Sequence, residues 1–312
     1  MADELLLRKT ALARGLTDYD LRRACAAGRL TRLRPGAYAH ADAPADPHAR
    51  HRLAVRAASA VLGDGVVISH QSAAVLHGLP LLHPPGRQVH ATVNRATGGR
   101  LTKSLHLHST PFDDDEVMTI DGLLVTTPAR TIADLARTLS FTAAVVTGDP
   151  AMRNHGLSAD QLLTQLDRWS RRRGLSQARQ AILFMDPRSE SPGESRSRVA
   201  MHHACLPKPE LQTEIHSVQG HLIARVDFFL PQYNVIGEYD GRCKYGRLLA
   251  PEQSPGDAVY SEELREDTLR DLGAQFVRWT TADLNDFTTT AARWRRAIVR
   301  GATAPPPRWQ IL

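Results

Sequence analysis

Cysteine is scarce: Cys25, Cys205 and Cys243 are the three in 312 residues, and none of them falls in a CxxC pair. So small and scattered a set builds neither a disulfide framework nor a zinc knuckle, and it fits a reducing cytosol. Long apolar runs are missing too. The mean hydropathy is -0.31, and no stretch approaches the roughly 20 apolar residues that a membrane-spanning helix needs. No membrane partner is therefore expected. The opening stretch "MADELLLRKTALARG" puts acids first and lacks both an apolar core and a small-residue cleavage site, so no signal peptide is expected. Internal repeats and low-complexity tracts are absent as well. Six of the fourteen histidines fall in pairs, His70 with His77, His106 with His108 and His202 with His203. None has acidic or cysteine partners at zinc-ligand spacing, so buried or surface histidines are expected. Ser72 lies too near His70 along a helix for a triad, which argues against a hydrolase of that type.

What is present is an ordinary globular composition, 42% hydrophobic and 23% charged, in a chain long enough for two or three domains. The net charge of +6 and a pI near 9.5 favour a polyanionic partner. Its distribution is more telling. Residues 1–40 hold eight basic side chains (Arg8, Lys9, Arg14, Arg22, Arg23, Arg29, Arg32, Arg34) against Asp3, Glu4, Asp18 and Asp20, a balance of +4.

Along the chain, 4–13 reads as a short helix. Thr17 caps a second helix that Gly28 ends, and "RLTRLRPGAYAH" reads as a basic hairpin around Pro35-Gly36. Periodicity leaves two readings open here, a winged helix-turn-helix or a helical cap with a solvated face. Residues 40–50 read as a linker, followed by a helix, a short strand, a helix capped by Ser69, strands at "QVHATV" and "SLHLHST", and a strand running into a helix with Thr127 and Pro128 at its start. Helical segments are expected at 158–172 and 175–185. A Ser/Pro/Gly-rich boundary covers 186–196, and beyond it an α/β region alternates helices and strands. The expected domains are 1–45, 46–185 and 186–312, and the expected fold class of the chain is α/β.

The stretch "RVDFFLPQYNVIGEYDGRCKYG", residues 225–246, is dense in charge for a strand core. Glu238 and Asp240 lie two apart and so share a strand face. Asp227 precedes a "LPQYN" turn, and an antiparallel hairpin sets it beside Glu238. Carboxylates so placed repel and raise one another's pKa. A hard divalent cation relieves that repulsion and serves phosphate chemistry, and Lys244 is placed to steady an anionic phosphate. The alternative is an ion-pair network in which Arg225, Arg242 and Lys244 neutralise the acids.

Four segments, "ESRSR", "RVDF", "EYDGRCKY" and "EELREDTLRDLGAQFVRWTTADL", together resemble the PD-(D/E)XK nuclease superfamily. Within it they are similar to an actinobacterial group related to very-short-patch-repair endonucleases. The resemblance covers about 188–300 and implies a restriction-endonuclease-like mixed sheet and Mg²⁺ or Mn²⁺ as cofactor. It makes Asp227 and Glu238 the metal-binding carboxylates, Glu194 the helix acid, Asp240 an additional acid and Lys244 the lysine equivalent. The charges of "SEELREDTLRDLG" pair at i,i+3 and i,i+4 spacing and read as a solvated helix face, with Arg265 facing the site as the alternative that the resemblance offers. Val226 stands where the superfamily has proline, and Asp240 where it has lysine. The segments "ALARGLTDYDLRRACAAGRLTRLRPGAYA", "ISHQSAAVLHGLPLL" and "VTTPARTIADLAR" resemble the AbiE-type antitoxin/regulator family over about 1–140. That implies a winged helix-turn-helix before an α/β region, with Arg22, Arg23, Arg29, Arg32 and Arg34 on DNA phosphates and a cognate toxin protein as a further partner. The resulting expectation is a cytoplasmic DNA-binding protein with an Mg²⁺-dependent endonuclease domain, in defence or repair. The rival expectation is a non-catalytic regulator or antitoxin of a type IV toxin–antitoxin system with a vestigial nuclease fold.

Overall fold

Leu5–Leu7 form a strand, β1, rather than the start of a helix, because they pair with Ala37–Ala39 in an antiparallel ladder. The helix that follows, α1 (Arg8–Ala13), is therefore only six residues long. The computed structural model describes residues 5–40, 44–63, 65–169, 172–241, 264–305, 307 and 309–311. By contact density the chain divides into two compact units, Met1–Met185 and Asp186–Leu312, so residues 1–45 and 46–185 fall in the first.

In that first unit, α2 (Asp18–Ala26) begins with a capping box. The Thr17 side chain accepts from Asp20 N–H, and Asp20 accepts from Thr17 N–H. Arg8 reaches α2 with two hydrogen bonds to Asp18, at 2.7 and 2.6 Å, which hold the two helices together. Strands β2 (Leu30–Arg34) and β3 (Ala37–His40) complete a sheet of order β1-β3-β2. Ala11, Leu21, Leu30 and Tyr38 make its small core.

Helix α3 (Pro47–Leu62) starts inside the expected linker, because Asp46 caps it through Ala49 N–H at 2.7 Å and Pro47 suits its first turn. It packs with a six-stranded mixed sheet built from β4 (Val66–Ile68), β5 (Val89–Val93), β6 (Arg100–Leu101), β7 (Leu105–Ser109), β8 (Val117–Ile120) and β9 (Leu123–Thr126), in the order β6-β7-β5-β4-β9-β8. Helix α4 (His70–Leu76) follows β4, and α5 (Pro128–Thr138), α6 (Phe141–His155), α7 (Ala159–Asp167) and α8 (Leu175–Phe184) complete the unit. No helix is expected from the sequence pattern at α6. Its residues Ala143–Met152 are buried without a polar stripe, and Gly148 and Pro150 sit inside it. Gly148 is there because a Cβ would run into the Met185 side chain.

The second unit holds α9 (Pro192–His203) and strands β10 (Glu210–Ser217), β11 (Leu222–Leu230), β12 (Val235–Asp240), β13 (Gln275–Thr280) and β14 (Trp309–Ile311). Their order is β13-β12-β11-β10-β14, with β12 and β13 parallel and the other pairs antiparallel. One core joins the sheet to α9 and the helix Thr288–Thr303 through Met201, Phe228, Trp279 and Trp294. A second core packs Phe229 and Ile236 against Leu269, which lies in the helical residues 264–271. No helix among the described residues is long and apolar enough to cross a membrane.

Candidate functional site

The β11–β12 ladder pairs Leu230 with Val235, Phe229 with Ile236 and Phe228 with Gly237. The next residues along are Asp227 and Glu238. Strand alternation puts both on the face of Phe229 and Ile236, which are themselves directly opposed. Regular pairing stops at this point, and Tyr239 N–H donates to Asp227 Oδ2 at 3.0 Å. Glu238 is nearly buried at 6% exposure, and Arg265 Nη2 lies 3.5 Å from its Oε1. Arg265 Nη1 also donates to the Arg225 carbonyl, at 3.2 Å, so this guanidinium bridges β11 and β12. Asp240, at the half-buried end of β12, continues the face of Glu238.

Glu194 enters from the first turn of α9, where Ser191 caps the helix through Glu194 N–H. Its carboxylate accepts from Ser191 Oγ at 2.7 Å, Glu190 N–H at 2.8 Å and Gln212 Nε2 at 3.0 Å. Burial raises its pKa, and the charge of Asp227 raises it further, although those three donors oppose the shift. Arg225 pairs with Glu190 at 2.9 Å. Lys244, Arg242 and the segment that follows them lie outside the described residues.

Histidines that lie far apart in the sequence are gathered by the first unit's sheet. Parallel pairing of β5 with β7 sets His90 against His106 and Thr92 against His108, which puts three imidazoles on one sheet face. The first residue of α4 adds His70. His70 and His108 stack with ring centroids 3.8 Å apart, as do His106 and His108. His90 Nδ1 lies 3.1 Å from His108 Nε2. Among the described residues, the one group of three His, Cys, Asp or Glu whose ligand atoms all lie within 4.8 Å of one another is His70, His90 and His108; the acids of the second unit are not so gathered. Burial keeps the imidazoles neutral, with His90 lowered to about 4 and His108 to about 2, the neighbouring histidines adding to the shift. Ser69, expected to cap α4, makes no cap bond. It accepts from Thr92 Oγ1 at 2.7 Å and meets His70 Nδ1 at 3.0 Å.

His51, by contrast, is a satisfied core histidine. Its Nδ1 reaches the Gly86 carbonyl at 3.1 Å and its Nε2 the Ser72 hydroxyl at 2.8 Å, while Ser72 accepts from His90 N–H. Burial brings its pKa down to about 4. The unfolded chain takes up this proton near pH 6.5, whereas the folded chain does not until about pH 4, so the stability is intact above 6.5 and is lost as pH falls. From pH 7 to pH 5 that amounts to about 2 kcal/mol. Urea unfolding at both pH values should show a loss smaller by that amount in His51→Gln; equal losses in the two proteins would mean that His51 is not held neutral.

The basic residues of the N-terminus are split. Arg22, Arg23, Arg29 and Arg32 are exposed, whereas Arg34 is half-buried and burial lowers its pKa.

Comparison with known proteins adds relatives but no activity. No family model matches the chain. It is 36% identical over 121 residues to the uncharacterized proteins Rv2248 and MT2308 of two strains of Mycobacterium tuberculosis. That match takes in 39% of this chain and 44% of theirs, so the chain spans less than half the length of the curated relatives it matches. Among solved structures, the RV2827C protein of Mycobacterium tuberculosis gives a TM-score of 0.39 at 16% identity, over 62% of this chain and 74% of that one.

Proposed function

We propose that this is a DNA-binding protein whose second unit cleaves DNA phosphodiester bonds with Mg²⁺ or Mn²⁺. The observation that carries the reading is the placement of Asp227 and Glu238 side by side on one face, where the β11–β12 ladder opens. Their donor set suits a hard cation, which takes oxygen ligands from one or two carboxylates and keeps waters for itself. The raised pKa of Glu194 in the field of Asp227 speaks for negative charge that a cation would offset. When bound, the ion would supply a water nucleophile at neutral pH and charge for the phosphate oxygens. Asp227 and Glu238 would hold it, and Asp240 is placed to orient a water at the strand end. Glu194 fixes Gln212, and Arg265 brings a positive charge to the same face, where a phosphate would bind. In the first unit, the two short helices and basic hairpin support a winged helix-turn-helix that meets DNA through the exposed Arg22, Arg23, Arg29 and Arg32, with Arg34 half-buried.

One observation favours a second reading, a non-catalytic DNA-binding regulator or antitoxin with a toxin partner. Glu238 already pairs with Arg265, and Asp227 already accepts from Tyr239 N–H, as in a site kept for structure. Incubating the pure chain with supercoiled and linear DNA in Mg²⁺, Mn²⁺ or EDTA separates the two. Cleavage with either ion and none in EDTA is expected. Binding without cleavage would leave the regulator. In either case affinity should fall steeply with salt. Replacing Arg22, Arg23, Arg29 and Arg32 with alanine should flatten the log–log slope by up to about 0.9 for each phosphate that is no longer neutralised.

A further inference from the structure

We propose that His70, His90 and His108 form a binding site for a borderline transition-metal ion of the Zn²⁺, Co²⁺ or Ni²⁺ class. It lies in the first unit and is independent of the acids in the second. Imidazole suits these ions, whereas Mg²⁺ and Ca²⁺ take oxygen ligands.

Three observations set this cluster apart from ordinary core histidines. The first is its partners. His51 and His77 each bond a backbone carbonyl, His77 Nε2 to Thr126 O at 2.8 Å. His90 and His108 instead face each other nitrogen to nitrogen at 3.1 Å. Two imidazoles on one tetrahedral zinc, each about 2.0–2.1 Å away, stand about 3.3 Å apart. Strand pairing thus already sets these two at nearly the separation of co-ligands, and shifting one ring proton to the far nitrogen presents both lone pairs.

The second is the backbone of His70, which adopts the left-handed region with φ 51°. A non-glycine residue held there is a strained position, and such strain collects where side-chain placement matters. The third is the setting of His70. Asp134 Oδ1 lies 3.9 Å from its Nε2, and Asp134 is itself held by Arg130 Nε at 2.9 Å. At 3.9 Å Asp134 lends negative charge without a hydrogen bond, while the ring is held at Nδ1 by the Ser69 hydroxyl at 3.0 Å, which leaves Nε2 for the ion.

An ion sits in the plane of each ring it binds, so the stacked pair His70 and His108 has to fan open about the ring torsions. His90, His106 and His108 are only partly buried, which gives an ion a path in, with His106 stacked on His108 as the nearest further imidazole.

The test uses the full chain, stripped with chelator and titrated by calorimetry with Zn²⁺, Co²⁺, Ni²⁺ and Mg²⁺. One equivalent of Zn²⁺ that the histidine variants remove is expected, separate from any ion held by Asp227 and Glu238, and Mg²⁺ should give no heat that those variants change. His90→Asn and His108→Asn should weaken Zn²⁺ by roughly 100-fold or more, while His77→Gln and Asp227→Asn leave it unchanged. Zn²⁺ binding that is absent from the wild type, or that both asparagine variants retain at wild-type strength with native circular dichroism, overturns the site. Should either variant fail to fold, the wild-type cobalt spectrum decides. Intense visible bands of low-coordinate Co²⁺, removed by one equivalent of Zn²⁺, uphold the proposal, and a spectrum of hydrated cobalt alone overturns it.

Discussion

Arg130→Ala is expected to destabilise the first unit by about 3–5 kcal/mol, because it strands two buried carboxylates. Arg130 is fully buried. Its Nε donates to Asp134 Oδ2 and its Nη1 to Glu116 Oε1, each at 2.9 Å. The guanidinium also lies over the Trp169 ring, 4.5 Å from the centroid, which adds a cation–π interaction. Neighbours compensate only in part. Arg137 Nη1 is 3.7 Å from Asp134, and Arg168 Nη1, bound chiefly to Asp115, is 4.0 Å from Glu116. Gln165 donates to Glu116 but brings no charge. Burial already pushes the Asp134 pKa upward, and removing its strongest positive partner pushes it further. The Arg130→Ala protein should therefore bind additional protons near neutrality on folding. Urea unfolding followed by far-ultraviolet circular dichroism, in which the first unit carries most of the helix, measures the loss, and a change below about 1 kcal/mol would show that the network does not hold the unit together. Arg130→Lys keeps a charge but lacks the fork that spans both acids, so it should restore only part of the stability.

Much of the architecture was legible because it is local. The Thr17 cap, the Pro-Gly turn between β2 and β3, and Thr127-Pro128 at the head of α5 are each written within a few residues. The facing of Asp227 and Glu238 was legible for the same reason. A short turn joins β11 to β12, so counting across it gives the register. What escaped depends on distant partners. Leu5–Leu7 read as helix because their partners in β3 are Ala37–Ala39, far along the chain. Helix α6 escaped because a helix buried on every side shows no period of 3.6. The histidine cluster escaped for a related reason. His90 and His106 meet across a parallel pair whose register no tight turn sets, and His70 arrives from the head of a helix. The alternation in "SLHLHST" signalled one histidine face on β7. What it could not signal was that β5 lies alongside.

Asp227→Asn and Glu238→Gln are expected to reduce metal-dependent DNA cleavage by roughly 100-fold or more, while leaving the fold and DNA affinity near wild type. Altering even the groups that orient a metal ligand typically costs about 10–100-fold, and a carboxylate that touches the ion does more. The amides are chosen over alanine for structural reasons. Asn at 227 keeps an oxygen for Tyr239 N–H at the point where the ladder opens, and Gln at 238 keeps an acceptor for Arg265. Alanine would confound missing chemistry with a broken hydrogen bond between the strands. The Asn variant has a second signature. Asp227 helps to hold the Glu194 pKa up, so removing its charge lets Glu194 titrate at lower pH, with the burial contribution left in place. The carboxyl of Glu194, followed by NMR from acid to neutral pH in the two proteins, should move downward in Asp227→Asn. Initial rates on supercoiled DNA with Mn²⁺, melting curves and binding isotherms complete the set. Cleavage at the wild-type rate in both variants would falsify the assignment of these acids as the ion's ligands. Loss of cleavage together with loss of DNA binding would place them at the DNA surface instead. A fall in rate alone, with folding and affinity retained and the Glu194 titration shifted, is the pattern that two carboxylates sharing one cation require.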